Sequence, residues 1–265
     1  MVYMKYKLFI SYWKSPNDVR NDEIITTINA NITSKLFDEI YIFVGDDMPN
    51  IVKSDIVKYE LNLDMLSDFL RFIENHTDSN SINVIANSDI LFDETLKLAD
   101  DIADDEIYAI TRYEDDGLLH NPTCIFGTSQ DCWLYKGNFK IIMINFNYFF
   151  FGKIGCDGKF AYDLITTGYK VKNPCKSIKI YHNHKSDLRE GSSNSLNLNP
   201  DNRLPFPHAF VLKSDINHKV ELTDYLFYSA PFGHIRYNPI NKTLEPISIE
   251  HAKLYSIIKQ IESKL

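Results

Sequence analysis

The chain has 265 residues, of which 44% are hydrophobic and 24% charged, with a formal net charge of −8. That length accommodates one large domain, or one domain with an appendage, and that composition supplies a sizeable core. The acidic balance argues against a binder of nucleic-acid backbone, which carries clustered positive charge, but leaves room for a small anionic ligand held through a metal ion.

Taken in chain order, "MVYMKYKLFISYW" is interrupted by Lys5 and Lys7 and does not read as a secretory signal. Residues 7–12 predict a buried strand. A helix follows over 22–37, with Ile25, Ile28, Ile32 and Leu36 on one stripe. A second strand over 39–47 ends at Gly45-Asp46-Asp47, and a short third is expected over 55–60. Leu66, Phe69, Leu70 and Ile73 mark a helix over 63–75, then 82–87 reads as a buried strand and 93–102 as a helix. Strands alternating with helices imply right-handed crossovers and a mostly parallel α/β sheet.

Further along, 106–114 and 131–137 predict strands, 157–169 a helix closing near Gly168, and 176–184 a late strand. The apolar run "IIMINFNYFFFG" (141–152) is too short to span a bilayer. Residues 185–207 are polar and punctuated, as in a long loop. A last helix carries Leu254, Ile258, Ile261 and Leu265 on one stripe, either docked on the core or offered to a partner. The four cysteines form no CxxC pair and are expected to be reduced thiols of a cytoplasmic protein, in which the sequons at Asn31, Asn75 and Asn241 carry no meaning.

The chemistry concentrates at strand ends. In an open parallel sheet, ligands bind beyond the carboxyl ends of the strands. Ser11-Tyr12, Gly45-Asp46-Asp47 and Asn87-Ser88-Asp89 all occupy such ends. Asp89 either points into that crevice or caps the following helix, although Asp93 is better placed for capping. A single carboxylate there suits Mg²⁺ or Mn²⁺ if a substrate diphosphate supplies further oxygens. His182 and His184 in "YHNH" are two apart on a predicted strand and share a face. They offer imidazole to such an ion, or else are ordinary hydrogen-bonded histidines. Asp157 opens a helix, where the positive helix end lowers a carboxylate's pKa. To serve as a base it needs burial or a nearby acid to offset that effect, and it can equally be an N-cap. Asp131 in "SQDCW" is a competing carboxylate.

In order, "RNDEIITTINANI", "ANSDILFDETL", "IYAITRYE", "SQDCWLYKG", "GCDGKFAYDLITTGYKVKNP" and "YHNHKSDLR" resemble nucleotide-sugar-dependent glycosyltransferases of the GT-A fold, of the kind found in bacteria and large DNA viruses. The resemblance spans about residues 5–190. It implies a GT-A catalytic domain over 1–190, with 191–265 as a loop and helical extension. Asn87-Ser88-Asp89 then stands at the Asp-x-Asp metal motif, with asparagine in place of the first carboxylate. Asp157 stands at the position of the inverting base, with Asp131 as the alternative, and His182 or His184 at that of a late metal ligand. Ser11, Tyr12, Arg20, Asp46, Asn87, Ser88 and Arg112 fall on segments that hold the nucleotide sugar. The implied reaction moves a sugar from a nucleotide sugar, UDP-linked by analogy, to a glycan or other hydroxyl acceptor with Mn²⁺ or Mg²⁺. "NYFFF" (147–151) either orients that acceptor or packs in the core. Two other readings remain: a nucleotidyltransferase, although "SYWKSPNDVR" lacks the usual glycines, and a degenerate binding domain.

Overall fold

The computed structural model describes residues 3–45, 47–61, 66–127, 129–138, 156–185, 208–229, 233–238 and 243–247. Asp46, "NYFFF", the 186–207 loop and the C-terminal helix expected from the sequence all lie outside the described residues.

A seven-stranded sheet organises the chain. It comprises β1 (Lys5–Tyr12), β2 (Glu39–Val44), β3 (Val57–Leu61), β4 (Ser81–Ala86), β6 (Glu106–Ile110), β8 (Cys132–Lys136) and β9 (Lys170–Lys172), in the order β3-β2-β1-β4-β8-β6-β9. β1, β2, β3 and β4 run parallel, as do β6 and β9, whereas β8 is antiparallel to both β4 and β6. The protein is therefore a mixed α/β fold with a large, mostly parallel sheet, as expected from the alternation of strands and helices. The chain winds outward from β1 through β2 to β3, then returns to place β4 on the other side of β1. That reversal opens the crevice in which doubly wound sheets bind ligands.

The two sheet faces follow from period-two alternation. Tyr6, Leu8, Ile10 and Tyr12 face one side with Ile40, Ile42, Val84 and Ile110. α1 (Asp18–Thr33) covers that face through Ile24, Ile28 and Ile32. Ile24 takes the first position of this stripe, and Ile25 is only partly buried. On the other side Phe9, Tyr41, Phe43, Ile85 and Trp133 meet Leu70 and Ile73 of α2 (Leu66–His76) and Phe160 and Leu164 of α3 (Cys156–Thr166). α1 starts earlier than its apolar stripe because Asn17 caps it, accepting from the amide of Arg20. α3 ends ahead of Gly168, whose φ of +99° is the left-handed conformation that glycine adopts without strain.

Three elements differ from expectation. Residues 94–101 form a 3₁₀ helix rather than an α-helix, and Asp93 caps it as anticipated, accepting from the amide of Thr95. The late strand over 176–184 contracts to β10 (Ile180–His182), which pairs antiparallel with a short β5 (Ile90–Phe92). Between the expected loop and the expected C-terminal helix, where no strand was anticipated, the chain forms β11 (His208–Leu212), β12 (Tyr225–Ser229), β13 (Gly233–Asn238) and β14 (Thr243–Ile247). Together with β7 (Phe126–Gly127) they make a second, antiparallel sheet. Ala209, Val211, Tyr225 and Phe227 bury against the α3 side of the main sheet. Among the described residues no helix is long and apolar enough to cross a membrane.

Candidate functional site

Asp89 and His182 are 93 residues apart in sequence and meet because β5 and β10 pair. His182 stands opposite Ile90, and the Asn183 amide donates to the Asp89 carbonyl over 2.9 Å. His182 Nε2 then lies 3.0 Å from Asp89 Oδ2. Arg20, in the first turn of α1, donates from Nη2 to the same oxygen. α1 is suited to this because Arg20, Glu23, Thr27 and Asn31 form a polar stripe beside its apolar one. Arg20 Nη1 donates to Glu23 at 3.2 Å, the Asn183 side-chain amide donates to Thr27 at 2.9 Å, and Asn31 donates to the Ile90 carbonyl at 2.8 Å. The helix face is thereby bolted to the β5–β10 pair.

The Asp89 carboxyl is 7% exposed, and burial alone would raise its pKa; the hydrogen bond and charge of His182, with Arg20, outweigh that and hold it well below the usual carboxylate range. Its second oxygen, Oδ1, and His184 Nε2 are buried atoms that no described residue bonds. The His182 and His184 rings meet edge-on at 5.0 Å. One ligand atom from each of Asp89, His182 and His184 lies within 4.8 Å of the others. These residues can therefore hold a cation, and the orphaned oxygen and nitrogen are the type of donor it takes. Burial, with the nearby charges of Arg20 and His182, lowers the His184 pKa and favours the neutral imidazole that ligates metals.

A second set of groups adjoins the first at the start of β8. Because β8 is antiparallel, its first residues lie at the carboxyl ends of β4 and β6. Asp131 pairs its backbone with Asn87 and Ile110 there. Its carboxylate accepts from Arg112 Nη1 at 2.7 Å, the Asn87 amide at 3.1 Å and the Ser129 hydroxyl at 3.2 Å. That contact explains asparagine at position 87, since an aspartate would set a second carboxylate against Asp131 where the amide donates. Asp157, at the start of α3, accepts from the Cys156 thiol at 3.2 Å and from the main-chain amide of Gln130. Burial, followed by the negative charge of Asp131, outweighs these donors and Arg112 and pushes its pKa up to about 7. Both offsets anticipated for a carboxylate at a helix start are thus present.

Glu114 joins the two sets. It accepts from Arg112 Nε at 3.0 Å through Oε1 and faces His182 Nδ1 at 3.1 Å through Oε2, while His120 Nδ1 lies 2.5 Å from Oε1. With Asp89 on one ring nitrogen and Glu114 on the other, the orientation of the His182 ring is fixed. The sequence reading missed Glu114 and His120. The available signal was alternation, since Arg112 and Glu114 are two apart just beyond β6 and share a face.

Of the remaining anticipated residues, Ser11 and Ser88 stand half-buried at the ends of β1 and β4. Tyr12 packs in the core at 2% exposure, with its hydroxyl donating to Asn21 at 2.9 Å. Trp13, just past the end of β1, was not anticipated and is 50% exposed. A Cβ on Gly45 would lie 2.5 Å from Trp13 Cδ1, so glycine allows the indole to lie against the end of β2. Gly45→Ala is expected to expel the exposed ring at a stability cost under about 1 kcal/mol and to red-shift the emission of Trp13, with the buried Trp133 as constant background. Unchanged emission would show that the indole does not rest there.

No family model and no curated relative matches the chain. Solved structures similar to it include mannose-6-phosphate isomerase from Helicobacter pylori, at 16% identity and a TM-score of 0.33 over 41% of this chain and 50% of that one. Another is 4-diphosphocytidyl-2C-methyl-D-erythritol synthase from Anaerococcus prevotii, at 11% identity and a TM-score of 0.33 over 50% of this chain and 70% of that one. The matched part spans half the length of the isomerase. Likeness at this level carries no argument about activity.

Proposed function

We propose that this chain is an inverting glycosyltransferase of the GT-A type, moving a sugar from a nucleotide sugar, UDP-linked by analogy, to a glycan or other hydroxyl acceptor. The observation that carries this reading is one polar array at the switch-point crevice. At one end it has a buried carboxylate with two histidines, at the other a carboxyl group whose pKa is near 7.

In this reading Asp89 and His184, with His182 beside them, hold a divalent ion; the mixed carboxylate and imidazole set suits Mn²⁺ better than Mg²⁺. When bound, that ion would neutralise the leaving diphosphate as a Lewis acid. Arg20 supplies a fixed positive charge on the same side, and Trp13 offers a flat, exposed ring for a base. Asp157, when ionised, takes the proton of the attacking acceptor hydroxyl. Its pKa near 7 suits that task, because a weaker base holds the proton poorly and a stronger one is already protonated at neutral pH. Arg112 and Asn87 hold Asp131, whose negative charge helps to raise the pKa of Asp157.

The test is turnover of a panel of nucleotide sugars by the purified chain, with and without Mn²⁺ and with simple sugar acceptors. Release of nucleoside diphosphate, with an inverted anomeric centre by NMR, supports the proposal. Pyrophosphate release from a nucleoside triphosphate and a sugar phosphate would point to nucleotidyl transfer. Nucleotide binding without any turnover would leave a degenerate binding domain, and failure of every nucleotide to bind would overturn the proposal.

A further inference from the structure

We propose that Arg20 is a built-in competitor for the cation at Asp89: guanidinium and divalent ion are rival partners of one carboxylate, and Arg20 sets how weakly the nucleotide-free protein binds metal. The inference rests on the metal-binding reading of Asp89, His182 and His184 above.

Asp89 Oδ2 is taken by two donors, Arg20 Nη2 and His182 Nε2, whereas Oδ1 is buried without a partner among the described residues. His182 is committed at both ring nitrogens, one facing Asp89 and the other Glu114. His184 Nε2, by contrast, is buried and unbonded among the described residues. An entering ion therefore has its open donors at Asp89 Oδ1 and His184 Nε2. There it shares a carboxylate already neutralised by a guanidinium that is itself largely enclosed, with 14% of its side chain exposed. Two cations on one carboxylate repel strongly in so dry a site. Arg20 also has a second resting place, since its Nη1 lies 3.2 Å from Glu23 Oε2. It can turn from Asp89 toward Glu23, or toward the phosphates of a donor, without being stranded as an unpaired charge. The arrangement holds Asp89 in place while no metal is bound and discourages ion binding until an anion draws Arg20 away.

The experiment is titration of the full chain with Mn²⁺ alone, followed by EPR of the free ion, for the wild type, Arg20→Gln, Arg20→Met, Arg20→Lys and the double variant Arg20→Gln with Asp89→Asn. Removing the competing charge is expected to tighten Mn²⁺ binding at least about tenfold in both neutral variants. Arg20→Lys, which keeps the charge, should stay near the wild type, and the double variant should lose the gain. Neutral variants that are folded by circular dichroism yet bind Mn²⁺ no better than the wild type would overturn the proposal. The metal reading would then survive if the single variant Asp89→Asn, titrated alongside, bound Mn²⁺ more weakly than the wild type. If neither the wild type nor either neutral variant binds Mn²⁺, the metal reading itself fails and this proposal falls with it. The neutral glutamine and methionine side chains differ in shape, so a packing defect in one does not mask the result of the other.

Discussion

Asp157→Asn is expected to lower kcat/KM for transfer by roughly 10²–10⁴-fold, the range for losing a positioned general base, while nucleotide binding persists. The wild-type profile should rise with pH through about 7, because only the ionised carboxyl accepts a proton and burial beside Asp131 delays that ionisation. Asp131→Asn removes the neighbouring negative charge, so its pH limb should move to lower pH, a shift that a purely structural role for Asp131 does not produce. Stability should change in the opposite direction to activity. The folded protein keeps a proton on Asp157 that the unfolded chain releases near 3.8, so the wild type loses stability as pH rises from that value through about 7. Asparagine has nothing to lose. The variant should therefore be more stable by about 1–2 kcal/mol at pH 8, with screening of a partly exposed residue allowed for. The difference should vanish near pH 4. Thermal unfolding across that range checks it, and a gap independent of pH would show that Asp157 does not titrate in this window.

Asp89→Ala is expected to have the larger effect on the fold and to abolish metal-dependent nucleotide binding. It leaves Arg20 and His182 facing one another in an enclosed site without the carboxylate both contact. Removing one partner of a buried ion pair costs about 3–5 kcal/mol, which is a large part of the stability of an ordinary domain. The wild type should gain thermal stability from the right nucleotide when Mn²⁺ is present, in proportion to ligand concentration over its dissociation constant. The variant should melt lower and show no such gain. If Asp89→Ala melts lower yet responds to nucleotide and Mn²⁺ as the wild type does, the carboxylate is a structural clasp and the cation binds elsewhere. The two variants thus separate the ends of the polar array, since one alters proton transfer with binding intact and the other removes the binding.

Much of this site is legible in the sequence alone. Strand-end position alone singled out Asn87-Ser88-Asp89, and the better fit of Asp93 as a cap is what the structure shows, with Asp89 bonded instead to Arg20 and His182. The spacing of His182 and His184 placed both on one side of a short extended segment, where their rings now meet. Helix dipole reasoning stated what Asp157 would need in order to act as a base, and burial and Asp131 supply it. Each of these inferences draws on neighbours within a few residues.

What local pattern determined is the alternation of buried strands and amphipathic helices, the polar residues that end those strands, and the carboxylates and histidines able to do chemistry. Tertiary structure decided how they combine. The antiparallel insertion of β8 between β4 and β6 carries Asp131 to Asn87, and the pairing of β5 with β10 carries Asp89 to His182. The second sheet formed by β7 with β11–β14 left only weak traces, since short strands amid polar turns resemble loop in composition. The physical reason is common to all three. Periodicity reports which face of a segment is buried, whereas the partner, direction and register of a strand are set by packing against residues distant along the chain. Glu114 is the clearest case: four residues past the end of β6 it resembles any exposed acidic residue, until the fold places Arg112, His120 and His182 around it.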